Sequence, residues 1–155
     1  MKTLIIMRHA KTEEGKANQK DFDRELITRG INDAGKMATW IEKKIGTIDE
    51  IFSSSARRTL QTAEFVQETC GGTLHLLDSL YHADANQILE QIHSGATDTG
   101  VLLVVGHNPA ISNLASYLSN KFIELKPSDI VLFNLKNTEW DSKLKIESFK
   151  HHSVY

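Results

Sequence analysis

The chain has 155 residues, of which 40% are hydrophobic, enough to bury one sizeable core and too few for two full domains, so a single domain over 1–155 is expected. Eighteen Lys and Arg stand against 20 Asp and Glu, a formal charge of −2, too balanced for a chain that binds nucleic acid or a membrane surface mainly through charge. The lone Cys70 cannot form an internal disulfide, which predicts a reducing, cytoplasmic setting, and the apolar run Leu4-Ile5-Ile6-Met7 is too short for a signal peptide or a spanning helix.

Short continuous apolar runs at Leu4–Met7, Glu50–Ser53, Thr73–Leu77 and Val101–Val105 predict strands. Between them, apolar residues at helical spacing predict helices over Ile31–Lys44, Thr59–Thr69 and Ala85–His93. A further helix is expected from Pro109 or Ala110 to about Leu118, with Asn108 as its N-cap. Asp129–Lys136 and Lys143–Phe149 read as an edge hairpin joined by the polar stretch Asn137–Ser142, and His151–Tyr155 as a loose tail without a role. Alternating strands and helices, with strands apolar on both faces, predict an α/β fold: a three-layer α/β/α domain around a mainly parallel central sheet.

In open α/β sheets, ligands bind beyond the carboxyl ends of the strands. Arg8 and His9 follow the first predicted strand, and Gly106 and His107 follow the Val101–Val105 strand. Either histidine alone is more often a surface or capping residue. Together with an arginine at one sheet edge, they would set a neutral imidazole nucleophile beside fixed positive charge, as transfer of an anionic phosphoryl group requires. The Glu50–Ser53 strand runs into Ser54-Ser55-Ala56-Arg57-Arg58-Thr59-Leu60-Gln61-Thr62, which adds two guanidinium groups suited to paired phosphate hydrogen bonds. Cations are disfavoured at a helix N-terminus, so one of the two arginines calls for an anionic partner, either a carboxylate or a bound phosphate.

Arg8-His9 followed by a small residue, Ser54-x-x-x-Arg58-x-x-Gln61-Thr62, and Gly106-His107-Asn108-Pro109 resemble the motifs of the histidine phosphatase superfamily, which has the phosphoglycerate mutase-like fold. Met7-Arg8-His9-Ala10-Lys11 and Asp21-Phe22-Asp23-Arg24-Glu25-Leu26, with Arg29-Gly30, are similar to its small SixA-type branch of phosphohistidine phosphatases. The resemblance implies that His9 is the nucleophile that becomes phosphohistidine, that Arg8 and Arg58 hold the phosphoryl oxygens, and that His107 completes the catalytic cluster. It leaves Arg57 solvated. Arg24 matches an arginine of the branch that would reach the phosphate or orient its neighbours; the alternative is a loop salt bridge with Asp21 or Asp23.

Two departures stand out: Ala10 replaces the usual glycine, and Glu25-Leu26-Ile27 replaces Pro-Leu-Thr. Larger members of the superfamily add a carboxylic acid that protonates the leaving group. Asp84 is the nearest candidate here by order, although a polar residue just before a helix is more often a cap. Without an acid, phosphohistidine is the favoured substrate, because imidazole leaves readily where an alkoxide does not. The implied partner is a phosphorylated protein or, alternatively, a small phosphoester, with neither nucleic acid nor membrane as a partner. No cofactor is expected, and the sequence lacks Asp-x-His and His-x-x-x-His metal sets, P-loop and Gly-x-Gly-x-x-Gly patterns, and a cysteine phosphatase loop. A phosphate-binding module without turnover is the reading from another class.

Overall fold

Leu4, Ile5, Ile6 and Met7 are wholly buried in a strand with hydrogen-bonded neighbours on both sides. This strand, β1 (Lys2–Arg8), lies inside one six-stranded sheet. The computed structural model describes residues 1–155. In chain order, β1 is followed by α1 (Thr28–Lys44), β2 (Glu50–Ser54), α2 (Arg57–Cys70), β3 (Thr73–Leu77), α3 (Ala85–Gly95), β4 (Val101–Gly106), α4 (Ala110–Ser119), β5 (Ile130–Leu135) and β6 (Ile146–His152). The strand order is β3-β2-β4-β1-β5-β6. The pairs β2–β3, β2–β4 and β1–β4 are parallel, whereas β5 pairs antiparallel with both β1 and β6. This is an α/β architecture in which the parallel strands β2, β4 and β1 are central, parallel β3 forms one edge and the antiparallel hairpin the other.

The side-chain alternation of a strand divides the core into two layers. Leu4, Ile6, Leu102 and Val104 pack with Ile88, Ile92, Ile111 and Leu114 of α3 and α4. Ile5, Met7, Leu103 and Val105 face the other way, onto Met37, Ile41, Ala63 and Val66 of α1 and α2. Runs apolar on both faces thus identify the central strands because helices cover both sides.

The hairpin differs in its second strand, which begins at Ile146 and continues through His151 and His152. The segment read as a loose tail is therefore partly sheet. His152 stacks on Trp40 with centroids 4.1 Å apart, and His151 Nε2 lies 3.1 Å from Asp129 Oδ2. The polar connection also carries a core residue: Trp140 is buried and donates from Nε1 to the Thr99 carbonyl at 2.7 Å. The polar loop carries no local signal for this contact, because its partner Thr99 is distant in sequence. Asn108 does not cap α4; its amide donates to the Leu125 carbonyl at 3.0 Å, and Pro109 occupies the cap position.

The loop between β1 and α1 is held close to α1 at Gly30. A Cβ on Gly30 would stand 2.1 Å from the Lys11 carbonyl oxygen, which also accepts the Ile27 amide. The obstacle is backbone, so it cannot swing aside as a side chain would. Gly30→Ala is expected to destabilise the protein by about 1–3 kcal/mol, typical of an overpacked site. Thermal unfolding should show the corresponding fall in Tm, and an unchanged Tm would contradict this close approach.

Candidate active site

The parallel register pairs Arg8 of β1 with Gly106 of β4, so the residues that follow, His9 and His107, emerge side by side. Their ring centroids are 5.3 Å apart and the planes are tilted by 58°. The His9 amide donates to the Gly106 carbonyl at 3.1 Å, and the Ser128 amide reaches the carbonyls of both Arg8 and His9 at 3.2 Å. The backbone at the histidine is thus held from two directions.

His9 Nδ1 lies 2.8 Å from the Ala10 carbonyl oxygen. A carbonyl only accepts, so Nδ1 carries the proton and the neutral ring keeps its lone pair on Nε2. The ring is only 8% exposed. Burial, assisted by His107, Arg58 and Arg8, lowers the His9 pKa to about 3. The cationic neighbours contribute, but loss of water is the larger cause. His107 is lowered to about 4, again by burial first and then by Arg58. Its Nε2 is 2.9 Å from Ser54 Oγ at the end of β2.

The Arg-x-x-Gln-Thr spacing has a direct explanation in α2. Residues three and four apart share a helix face, so Arg58, Gln61 and Thr62 all point toward the β1 loop. Thr62 Oγ1 accepts the Ala10 amide at 3.0 Å, and Gln61 Oε1 accepts the Leu26 amide at 2.9 Å. Thr62 therefore holds, through the Ala10 amide, the residue whose carbonyl sets the His9 tautomer. Ala10 has no positive φ and is fully buried, so the replacement of glycine is accommodated.

Arg58 and Arg57 stand in different surroundings. Arg58 is 7% exposed and lines a cavity of about 290 Å³ together with Arg8, His9, Arg24 and His107. Arg57 pairs with Glu25 at 3.1 Å, both side chains half exposed. Glu25, where the branch has proline, is thus the carboxylate partner of that arginine. The Arg8 guanidinium donates from Nη1 to the Leu125 carbonyl at 3.0 Å. Arg24 lines the cavity, but three of its nitrogens are already engaged: Nε donates to the Glu13 carbonyl at 3.1 Å, Nη2 to Thr12 Oγ1 at 2.5 Å, and Nη1 to Asp21 Oδ1 at 2.8 Å. Arg24 therefore forms the salt bridge with Asp21 and also lines the cavity.

Asp84 caps α3. Its Oδ1 accepts the Gln87 amide at 2.9 Å, while Gln87 Oε1 accepts the Asp84 amide at 2.8 Å. This reciprocal capping box uses the residue as a local stop signal for the chain. Sequence reasoning did not single out Tyr81, which stands beside His107 with centroids 5.6 Å apart and next to His82 at 4.1 Å. These rings line a second cavity of about 300 Å³ that shares His107 and Asn108 with the first. A larger cavity of about 900 Å³, by Leu89, Tyr117 and Leu144, contains none of the site residues. No group of three or more His, Cys, Asp or Glu side chains is placed to hold a metal ion, and no helix is long and apolar enough to cross a membrane.

A mainly parallel α/β sheet whose carboxyl edge carries a buried imidazole among guanidinium groups is an arrangement chemically suited to an anion. The chain belongs to the histidine phosphatase superfamily (branch 1), whose family model matches residues 4–87. That stretch includes Arg8, His9 and Arg58 and ends before His107. An uncharacterised protein of Mycobacterium tuberculosis (strain ATCC 25618 / H37Rv) is 34% identical over 116 residues, 74% of this chain and 70% of that one. Among solved structures, the protein histidine phosphatase SixA complexed with tungstate superposes with a TM-score of 0.80 at 21% identity over 95% of both chains. A protein provisionally described as phosphohistidine phosphatase SixA from Nakamurella multipartitia gives a TM-score of 0.82 at 21% identity, covering 99% of this chain and 97% of that one. These structural likenesses establish the fold.

The two depressed histidines carry a stability consequence. Above the ordinary histidine pKa of 6.5, neither state binds the proton. Below it, the unfolded chain takes up protons that the native rings accept only near pH 3 for His9 and pH 4 for His107, so stability falls as pH drops from about 6.5 toward 4. Urea unfolding between pH 7.5 and 4.5 should show this decline, and His9→Asn should make it shallower. An identical slope in the variant would show that His9 is not held neutral.

Proposed function

We propose that the protein is a phosphatase that acts through a phosphohistidine intermediate on His9, with phosphohistidine in a protein as its substrate. The reading rests above all on the His9 tautomer, Nδ1–H to the Ala10 carbonyl, which leaves Nε2 as a nucleophile inside a guanidinium-lined pocket. Nε2 attacks phosphorus in line, the Nε2–P bond forms, and the bond to the leaving group breaks with its electron pair going to the departing atom. Arg8, Arg58 and His107 stabilise the charge on the equatorial oxygens, and Arg24 lines the same pocket as a substrate-binding or orienting group. Phosphorylated His9 retains its Nδ1 proton against the Ala10 carbonyl. When water attacks phosphorus, the ring therefore departs as neutral imidazole and phosphate is released.

The substrate class is argued from the leaving group. Asp84 is committed to its capping box. Asp21 is held well below the usual carboxylate range, chiefly by the hydrogen bond from Tyr81 and also by Arg58 and Arg24, so it has no proton to give at neutral pH. A pocket without an available carboxylic acid suits a leaving group that needs no external proton, and a phosphoimidazole protonated on its other nitrogen leaves as neutral imidazole. The two adjoining cavities at the sheet edge, about 290 and 300 Å³, have room for a phosphoryl group and a protein side chain. Small phosphomonoesters are the alternative within the same superfamily.

His9→Ala is expected to abolish phosphoenzyme formation, as read by acid-labile phosphate on the protein. Arg58→Ala should lower kcat by about 100-fold to 1000-fold, the loss typical of one oxyanion donor. Phosphate release from a phosphohistidine peptide should exceed that from phosphoserine and phosphotyrosine peptides by at least about tenfold in kcat/KM, or about 1.4 kcal/mol of barrier. Equal or faster release from the esters would overturn the substrate assignment, and phosphoenzyme in His9→Ala would overturn the nucleophile.

A further inference from the structure

We propose that Asp21 is a positioning residue that aims the Arg58 guanidinium at the transferring phosphoryl group, an inference that rests on the phosphoryl-transfer reading above. One carboxylate joins three segments that are far apart in sequence. Asp21 Oδ2 accepts from Arg58 Nη2 at 3.0 Å and from the Tyr81 hydroxyl at 2.6 Å, while Oδ1 accepts from Arg24 Nη1 at 2.8 Å. The Asp21 backbone carbonyl takes Arg58 Nη1 at 2.7 Å. Both terminal nitrogens of Arg58 are thus bound to a single residue, and its side chain forms no other protein hydrogen bond.

The consequence follows from the shape of the group. A guanidinium is a rigid planar fork with five donors. With Nη1 and Nη2 each giving one hydrogen to Asp21, the plane cannot turn about its long stem without breaking both bonds. The remaining hydrogens on Nε, Nη1 and Nη2 are left for an anion in the cavity that Arg58 lines beside His9. The Tyr81 ring supports the fork from the opposite segment, its centroid 6.0 Å from Arg58 Cζ, and Phe22 packs edge-on against Tyr81 at 5.0 Å. Asp21 itself sits in the short 3-10 turn Asp21–Asp23, anchored through Arg24 to the Glu13 carbonyl and Thr12 hydroxyl. The residue is half exposed, so its three bonds are not explained by a need to bury a charge.

An orienting role and a competing role make opposite predictions. If Asp21 orients Arg58, its loss weakens the transition state more than the ground state. If Asp21 merely occupies Arg58 until phosphate displaces it, its loss strengthens binding and raises turnover.

The experiment measures single-turnover phosphorylation of His9 by a phosphohistidine peptide, with inorganic phosphate and vanadate as competing ligands. Asp21→Ala should slow phosphorylation by about tenfold to a hundredfold, in the range seen when a reacting group is misplaced. Asp21→Asn, which keeps an acceptor of the same shape, should lose less. Vanadate, which adopts the five-coordinate geometry of the transfer, should lose affinity in parallel with the rate, while affinity for inorganic phosphate changes by less than about threefold. In an Arg58→Ala background, Asp21→Ala should cost less than about twofold, because the group it orients is gone.

Equal losses in both backgrounds, or faster phosphorylation in either Asp21 variant, would overturn the proposal. Should Asp21→Ala fail to fold, the same comparisons are made with Asp21→Asn, for which an unchanged rate would overturn it. Failure of the parent protein to form phosphohistidine at His9 would instead reject the function on which the proposal rests, and the two failures are therefore distinct.

Discussion

The pairing of β1 with β4 is the constraint on which the site depends. Because the strands run parallel and Arg8 stands opposite Gly106, the two chains leave the sheet at the same level and carry His9 and His107 to within 5.3 Å of one another. A slip of one residue in either strand would turn its side chains to the opposite face. The register cannot slip cheaply, since Leu4 to Met7 and Leu102 to Val105 are buried on both faces of the sheet. The energy that fixes the register is hydrophobic, while the groups it places are polar. Core packing therefore acts on the chemistry through geometry alone.

Once placed, the imidazole is made useful by loss of water and by a local hydrogen bond. Burial disfavours its charged form, and the Ala10 carbonyl determines which nitrogen holds the proton. Thr62 fixes that carbonyl's neighbouring amide from α2, so the tautomer of a residue after β1 depends on a helix more than fifty positions away. The positive charge beside the ring is supplied by arginine, because a guanidinium stays ionised where histidine cannot. Arg8 and Arg58 are correspondingly tied to protein oxygens, one to the Leu125 carbonyl and the other to Asp21.

The loop between β1 and α1 connects these parts. It contributes Arg24 and Asp21, and it is secured to α1 at Gly30, to α2 through Gln61, and to the β3–α3 connection through Tyr81. Glu25, a departure from the branch pattern, adds a surface ion pair with Arg57. Such an exposed pair contributes little to stability. It accounts for Arg57 at the surface, while Arg58 lines the cavity beside His9.

The sequence alone located β1 to β4, because short apolar runs bounded by polar residues have few other uses, and with them the strand-end residues, because a sheet edge is set by where those runs stop. The choice of Arg58 over Arg57 comes from the resemblance of Arg-x-x-Gln-Thr to the family motif, and the helix face shared by residues three and four apart is its physical counterpart. Only the tertiary structure decided the roles of Asp21, Tyr81 and Trp140 and of the tail histidines. Each is defined by a partner from a distant segment, and neither periodicity nor local propensity contains that information. Asp84 illustrates the same limit in reverse: a carboxylate in the right order along the chain is a helix cap in space, because its nearest available donor is the Gln87 amide one turn ahead. Local physics chose the elements, and burial of their apolar faces chose which distant polar groups would meet.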